Sequence, residues 1–157
     1  MKSLPRNQSG FTIIELVVVI IILCILGTLV ALTYSGVQAS NRDKQRQADI
    51  ETLQSKLEIY HAQNDKYPSL GEINNPAWRA EHMPELKEDT LKDPRWSDNG
   101  SCAQGGQPIL GAGEHCYQYA ATGADGAACD NAGVPCAQYT LTATLEDNQP
   151  FVKASLN

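Results

Sequence analysis

The chain has 157 residues, enough for one domain of ordinary size, and carries 12 basic and 18 acidic side chains for a formal net charge of −6. This acidic balance argues against a nucleic-acid-binding protein, because such proteins neutralise phosphates with clustered Lys and Arg. The overall composition, 42% hydrophobic and 19% charged, averages two unlike parts: a long apolar run near the N-terminus and a polar remainder rich in small residues.

The chain opens with a short segment, residues 1–10, that contains Lys2 and Arg6 and no acidic residue. An apolar run follows from Phe11 to Leu32. At about 1.5 Å per helical residue, this run is long enough to cross the roughly 30 Å hydrocarbon core of a bilayer. The run is too long for a secretory signal peptide, whose apolar stretch has only about 7–15 residues. An ordinary single-pass anchor stays open as an alternative.

Charges on the two sides of the run predict its orientation in the membrane. The basic residues before the run predict a cytoplasmic N-terminus and an exported C-terminal part. Arg42, Lys44 and Arg46, beyond the far end of the run, argue for the opposite orientation. Asp43 partly offsets them, and the N-terminal charges are synthesised first, so we predict that the N-terminus stays inside.

Glu15 lies within the apolar run. A charged and unpaired carboxylate at the centre of a membrane helix costs about 2.5–3.5 kcal/mol on insertion scales, although the cost is lower near the helix end. Because Gln or Leu would avoid this cost, the carboxylate predicts a function that requires a positively charged partner. The alternative is that the side chain reaches the membrane interface.

The junction Ser9-Gly10-Phe11-Thr12-Ile13-Ile14-Glu15-Leu16 resembles the leader junction of type IV pilins and type II secretion pseudopilins. The resemblance implies that prepilin peptidase cleaves after Gly10 and that Phe11 becomes an N-methylated terminus. It also implies that Glu15 pairs with the amino terminus of a neighbouring subunit during assembly. Such a pair would set the axial stagger between subunits. Loss of the leader would make the mature chain more acidic.

Helix signals continue beyond the apolar run, because no proline occurs between Pro5 and Pro68 and the intervening polar segment is rich in helix-forming residues. We predict one helix from about Thr12 to about Asn64. It divides into a transmembrane and assembly part, residues 11–32, and an amphipathic continuation, residues 33–64. The apolar residues of the continuation recur at helical spacing on one face: Ile50, Leu53, Leu57 and Tyr60.

The remaining part, residues 65–157, is predicted to be a small lobe with short elements, because prolines interrupt its first third. We predict short helical turns over residues 77–82 and 85–90, followed by two segments with the alternation typical of strands and by a third candidate strand. The predicted strands are Cys116–Ala120, Tyr139–Leu145 and Phe151–Ala154. The predicted fold class is therefore α+β and pilin-like, with a long N-terminal helix and a small antiparallel sheet of three or four strands packed on its C-terminal half.

Five cysteines occur, one of them, Cys24, in the apolar run, where it is most simply a packing residue. The other four lie in the predicted exported lobe and allow three disulfide pairings. We favour a Cys129–Cys136 bond, which closes a short loop, together with a Cys102–Cys116 bond at the entry to the first strand. A zinc site is the competing interpretation, but the spacing lacks a Cys-x2–4-Cys pair.

Metal binding and catalysis have weaker support. Asp125 and Asp130 are calcium candidates beside glycines, and some pseudopilins hold calcium in this lobe, but the spacing of an EF-hand is absent and turn geometry is favoured. The histidines, His61, His82 and His115, are scattered, and no motif places a base beside a nucleophile. We predict no enzyme activity, no catalytic residue and no cofactor.

Three functions fit the sequence. The first is a structural subunit of a type IV pilus-like filament, with roles in adhesion, motility or DNA uptake. The second is a type II secretion pseudopilin that forms a short periplasmic filament, and the third is an anchored binding module that does not polymerise. For the first two, the resemblance implies three kinds of partner: copies of the chain or other pilins, prepilin peptidase, and an assembly-platform membrane protein. The implied location is the cytoplasmic membrane for the precursor, then a periplasmic or extracellular filament.

Overall fold

The computed structural model describes residues 11–96, 108–109 and 116–156, with the side chains of residues 30–33 left aside. A single long helix, α1, spans Ile13–Asn64, which confirms the predicted helix bounds to within one residue. The chain divides into two compact units, Met1–Ala39 and Ser40–Asn157, and α1 contributes to both.

The described part of the first unit is the apolar portion of α1. Its described side chains from Phe11 to Leu29 are all exposed, by 79% at Phe11 and by 58% at Leu29. The helix is long and apolar enough to cross a membrane, and none of its most apolar stretch is buried. A helix that is apolar on every side requires lipid or other protein around it.

The second unit is built around the amphipathic portion of α1. The four residues predicted to form its apolar face are all buried, at 4% exposure or less: Ile50, Leu53, Leu57 and Tyr60. They form one core cluster with inward-facing residues of the sheet, among them Tyr119, Tyr139 and Leu141.

The sheet has three antiparallel strands in the order β1-β2-β3, within the predicted three or four. Their bounds are Gln118–Thr122, Gln138–Thr144 and Pro150–Ala154. β1 begins two residues later than predicted, because Cys116 and Tyr117 are buried in succession and do not alternate. The Tyr117 hydroxyl instead donates a hydrogen bond to Asp49 Oδ2 of α1, at 2.8 Å.

Short helical elements connect α1 to the sheet. α2, Leu70–Asn74, was not predicted, although Ser69 and Glu72 form the reciprocal hydrogen bonds of a capping box at its start. α3, Pro76–His82, begins with a proline in its first turn and is capped by the Asn75 side chain, close to the predicted turn. A 3-10 helix at Glu88–Leu91 overlaps the second predicted turn.

Candidate functional site

The start of α1 carries the predicted assembly residues. Thr12 Oγ1 accepts a hydrogen bond from the backbone N–H of Glu15 at 3.3 Å. The Glu15 carboxylate in turn lies 3.5 Å from both the backbone nitrogen and the hydroxyl of Thr12. These reciprocal contacts are those of a capping box, in which two N–H groups that lack helical partners are satisfied.

The capping box keeps the Glu15 carboxylate at the N-terminal end of α1, where the helix dipole favours negative charge. Phe11, which precedes the box, is 79% exposed, and Gly10 lies outside the described residues. Glu15 makes no ion pair with any residue that the structure describes, and its hydrogen bonds go to Thr12. The positively charged partner predicted for it is therefore not among the described residues. Thr12 was not singled out from the sequence, although the pattern Thr12-x-x-Glu15 is the signature of a capping box.

A second group of functional interest is a set of charged side chains, here called the Arg46 cluster. Its members are three arginines and three acids: Arg42, Asp43, Arg46, Asp93, Arg95 and Glu146. Arg46 is fully buried and binds Asp93 through two hydrogen bonds, of 2.7 and 3.1 Å. Its Nη1 donates to Asp43 Oδ1 and to Glu146 Oε1, each at 2.8 Å.

The Arg46 cluster joins three parts of the second unit. Arg42, Asp43 and Arg46 lie on successive turns of α1, Asp93 follows the 3-10 helix, and Glu146 lies between β2 and β3. Arg42 also binds both carboxylate oxygens of Glu146, at 2.8 and 2.9 Å. Asp93, which precedes Pro94, therefore supplies a buried counter-charge to Arg46.

Electrostatics in the cluster favour the charged forms. Hydrogen bonds from Arg42, and then from Arg46, lower the pKa of Glu146 from its ordinary 4.5 to about 2 despite partial burial. Burial alone would lower the pKa of Arg46, but its hydrogen bonds to Asp93 and Glu146 outweigh that effect and raise it. Asp49, which lies outside the cluster, differs: burial raises its pKa above the ordinary value, and the hydrogen bond from the Tyr117 hydroxyl offsets this only partly.

Arg46 occupies a position that the apolar pattern did not predict. It lies one turn before Ile50, so it is the first member of the buried face of α1. In the sequence, Arg42 and Arg46 counted as positive charges that argue for the opposite membrane orientation. In the structure, each is paired with acids of its own unit. Their weight as opposing orientation signals is thereby reduced in the folded chain.

The low pKa of Glu146 predicts an acid-dependent loss of stability. A group whose folded pKa is depressed contributes stability above its unfolded pKa, and this stability is lost as pH falls through the folded value. We therefore expect the difference in melting temperature between the wild type and Glu146→Gln to shrink as pH falls from 4.5 towards about 2. Thermal unfolding followed across that range measures it, and a constant difference would contradict the assignment.

The predicted cysteine pairs are partly within the described residues. Cys129 and Cys136 form a disulfide with a Cα–Cα separation of 5.2 Å. Cys116 is also disulfide-bonded, whereas Cys102, its predicted partner, lies outside the described residues. Cys24 is a free, exposed cysteine on α1.

The loop closed by Cys129–Cys136 is fastened to the turn that ends α1. The Tyr67 N–H donates to the Cys136 carbonyl at 2.8 Å. The Asn131 side chain donates to the Tyr67 carbonyl at 2.8 Å and accepts from the Cys136 N–H at 2.9 Å. Asn131 adopts a φ of 61°, a left-handed conformation that asparagine tolerates better than most residues.

The calcium candidates are used in local turns. Asp130 Oδ1 accepts hydrogen bonds from the N–H groups of residues 132, 133 and 134, at 3.0, 2.8 and 3.2 Å. These bonds, the Gly133 bond first, lower the pKa of Asp130. Asp125 Oδ1 accepts from the Ala127 N–H at 3.0 Å. Among the residues that the structure describes, no three His, Cys, Asp or Glu side chains are grouped to hold a metal ion.

The two described histidines stack on aromatic rings. His61 stacks on Tyr67 with ring centroids 4.4 Å apart, and His82 stacks on Trp78 at 4.6 Å. His115 lies outside the described residues. Both side chains therefore contribute to packing between aromatic rings.

The loop staple leads to a stability prediction. We expect Cys129→Ser combined with Cys136→Ser to lower the free energy of unfolding by about 2–3 kcal/mol, the chain-entropy value for a loop of this size. A calcium chelator should leave the melting temperature of the wild type unchanged, because the Asp125 and Asp130 contacts are internal. Unfolding of the double variant beside the wild type measures the first effect, and thermal unfolding of the wild type with and without chelator measures the second. A fall in melting temperature with chelator would restore the calcium alternative.

The start of α1 and the residues before it are similar to a known family. Residues 5–31 match the family described as the prokaryotic N-terminal methylation motif. This match contains Gly10, Phe11, Thr12 and Glu15, and therefore both the junction and the capping box.

Several curated relatives carry the name type II secretion system core protein G. The protein of Aeromonas hydrophila is 39% identical over 41% of this chain and 45% of its own length. The protein of Dickeya chrysanthemi is 40% identical over 42% of this chain and 43% of its own length, so the chain spans less than half of these two relatives. No solved structure matches the chain significantly.

A longer match covers most of both chains. The type II secretion system core protein G of Escherichia coli K12 is 30% identical over 131 residues, 76% of this chain and 84% of that protein. This match extends the similarity beyond the apolar helix into the second unit. The methylation motif and the α+β fold agree with it. The chain belongs to the pilin and pseudopilin family that includes type II secretion system core protein G.

Proposed function

We propose that the chain is a structural, non-enzymatic subunit of a pilus-like filament, of the type II secretion pseudopilin kind. Its precursor is a single-pass protein of the cytoplasmic membrane with the N-terminus inside. Prepilin peptidase cleaves it after Gly10, and Phe11 is N-methylated. The mature chain then leaves the bilayer and polymerises through its apolar helix, with Glu15 paired to the amino terminus of a neighbouring copy.

The observation that carries this proposal is the exposure of the apolar part of α1. Every described side chain from Phe11 to Leu29 is exposed, and most are large and aliphatic. Each such side chain gains about 1.5–3 kcal/mol on full burial, so the helix is stable only in lipid or among other apolar helices. A bundle of helices from many copies supplies the second environment.

The start of the helix supports a polymer over a simple anchor. A simple anchor offers no partner for the charge of a carboxylate four residues after Phe11, whereas a polymer subunit can pair it with a cation from another copy. The new α-amine of Phe11 has an ordinary pKa of about 8 and is therefore such a cation at neutral pH.

The relatives favour the pseudopilin over the surface pilus. The curated proteins named above are all called type II secretion system core protein G. On this basis we propose a periplasmic filament whose partners are other pilins and an assembly-platform membrane protein. A long surface filament containing this chain would instead favour the pilus.

Mass spectrometry of the mature N-terminus tests the processing step. We expect the first residue to be Phe11 with one added methyl group. An intact Met1, or cleavage at any position other than after Gly10, would remove the basis of the proposal.

Thr12 supplies a prediction about the same end of the helix. Thr12→Val keeps the branched shape but removes the hydroxyl that caps Glu15, and loss of such a cap typically costs about 1 kcal/mol, or about fivefold in an equilibrium. We expect a filament yield lower by roughly this factor, measured on sheared material by immunoblot. Thr12→Ser retains the hydroxyl and should assemble as the wild type does, so equal yields of the two variants would contradict the capping role.

A further inference from the structure

α1 is attached to the second unit in two different ways. From Ile50 to Tyr60 its buried side chains are apolar. From Ser40 to Asp49 its single buried side chain is Arg46. This earlier segment contacts the lobe through ion pairs and polar hydrogen bonds, among them those of the Arg46 cluster and the Tyr117–Asp49 bond.

The two attachments respond differently to separation. Moving an apolar helix face away from its core exposes hydrocarbon to water, at about 25 cal/mol per Å². Moving an ion-paired segment away lets water hydrate both charges, which offsets much of the lost interaction. The segment 40–49 therefore opens at a lower free energy than the segment 50–60.

The geometry makes this opening a single step. The guanidinium of Arg46 contacts Asp93 and Glu146 at once, and these acids lie on two separate connections of the lobe. Glu146 is also bound by Arg42, and its backbone N–H donates to Asp43 Oδ1 at 3.0 Å. Loss of the Glu146 contacts thus loosens three side chains of α1 together.

We propose that the Arg46 cluster is a latch that allows residues 40–49 of α1 to separate from the lobe as one segment while residues 50–64 stay docked. When it opens, the point at which α1 leaves the lobe moves from Ser40 to Ile50. The subunit uses this opening when it passes from the membrane into the polymer. This last step rests on the proposed filament function, whereas the opening itself does not.

Hydrogen exchange tests the opening without any filament. The full-length cleaved chain is held in detergent micelles, and amide exchange is read by mass spectrometry. We expect the amides of residues 44–49 to exchange at least about tenfold faster than those of residues 54–60, because a helical segment without tertiary packing loses most of the stability of its backbone hydrogen bonds. Equal rates in the two segments would overturn the latch.

Glu146→Gln separates the latch from ordinary fraying of a helix. The change is distant in sequence from α1, so fraying would be insensitive to it. We expect it to accelerate exchange at residues 44–49 by about tenfold and to leave residues 54–60 unchanged. Asp147→Asn is the matched control, because the Asp147 carboxylate bonds within its own turn, to the Gln149 N–H. Acceleration of both segments alike, or of neither, would contradict the proposal.

The use in assembly has its own test. Arg46→Met with Asp93→Asn removes one charge of each sign and continues the apolar face of α1 to residue 46. We expect slower exchange at residues 44–49, normal cleavage, and a filament yield reduced by about tenfold because the segment stays docked. Normal filaments together with slower exchange would show that assembly does not use the latch. Failure of the wild type to form filaments would instead overturn the proposed function and leave the exchange result intact.

Discussion

Arg46→Met should destabilise the second unit severely. The substitution leaves Asp93, which is 3% exposed, without the guanidinium that binds both of its oxygens. Removal of one partner from a buried ion pair costs about 3–5 kcal/mol, because the remaining charge stays desolvated. We expect a loss of this size in the free energy of unfolding, measured by denaturant titration of the full chain in detergent.

The double variant Arg46→Met, Asp93→Asn should recover most of that loss. It contains no unpaired buried charge at these two positions, and replacement of a buried pair by neutral groups is often neutral or stabilising. The amide oxygen introduced at position 93 can still accept the Arg95 N–H, which bonds Asp93 Oδ1 at 2.8 Å in the wild type. A double variant as unstable as the single one would show that Arg46 contributes through packing and not through charge.

Glu15→Leu should abolish assembly while sparing insertion and processing. Leucine suits the apolar run better than glutamate, so the precursor should enter the membrane and be cleaved normally. Without the carboxylate, the amine of a neighbouring Phe11 would be buried unpaired in the polymer, and we expect the filament yield to fall by more than about tenfold. The measurement is the amount of the chain in sheared filaments relative to the membrane fraction.

Two further variants separate charge from capping and from polarity. Glu15→Gln retains an acceptor suited to the capping box but removes the charge, so it should also fail to assemble. Thr28→Val is a matched change in the same run, because the Thr28 hydroxyl bonds the Ile25 carbonyl of its own helix, at 2.7 Å. It should assemble normally, and assembly of Glu15→Gln at the wild-type rate would remove the pairing hypothesis.

Local patterns predicted most of the fold. The stripe Ile50, Leu53, Leu57 and Tyr60 follows the helical period and β2 follows the alternation of a strand, so side-chain periodicity placed both close to their observed positions. α2 was missed although its capping residues are visible in the sequence. β1 was shifted because Tyr117 turns towards Asp49, a contact between residues distant in the chain.

The candidate site was predictable to different degrees. The assembly residues form a contiguous motif, so Gly10, Phe11 and Glu15 could be singled out from sequence, and Thr12 could have been. The Arg46 cluster could not, because two of its three acids, Asp93 and Glu146, lie 47 and 100 residues from Arg46 along the chain. Polar side chains on a helix are ordinarily solvated, and only the fold shows that Arg46 is buried.

Polymerisation of this chain as a processed pilin-like subunit can be observed directly. The measurement is immunogold electron microscopy of sheared periplasmic and surface material, from cells that overproduce the chain. We expect filaments labelled along their length by antibody to the lobe, with label absent when Glu15 is replaced by Leu. A cleaved, membrane-bound chain that never appears in filaments would contradict polymerisation and favour a non-polymerising anchored module.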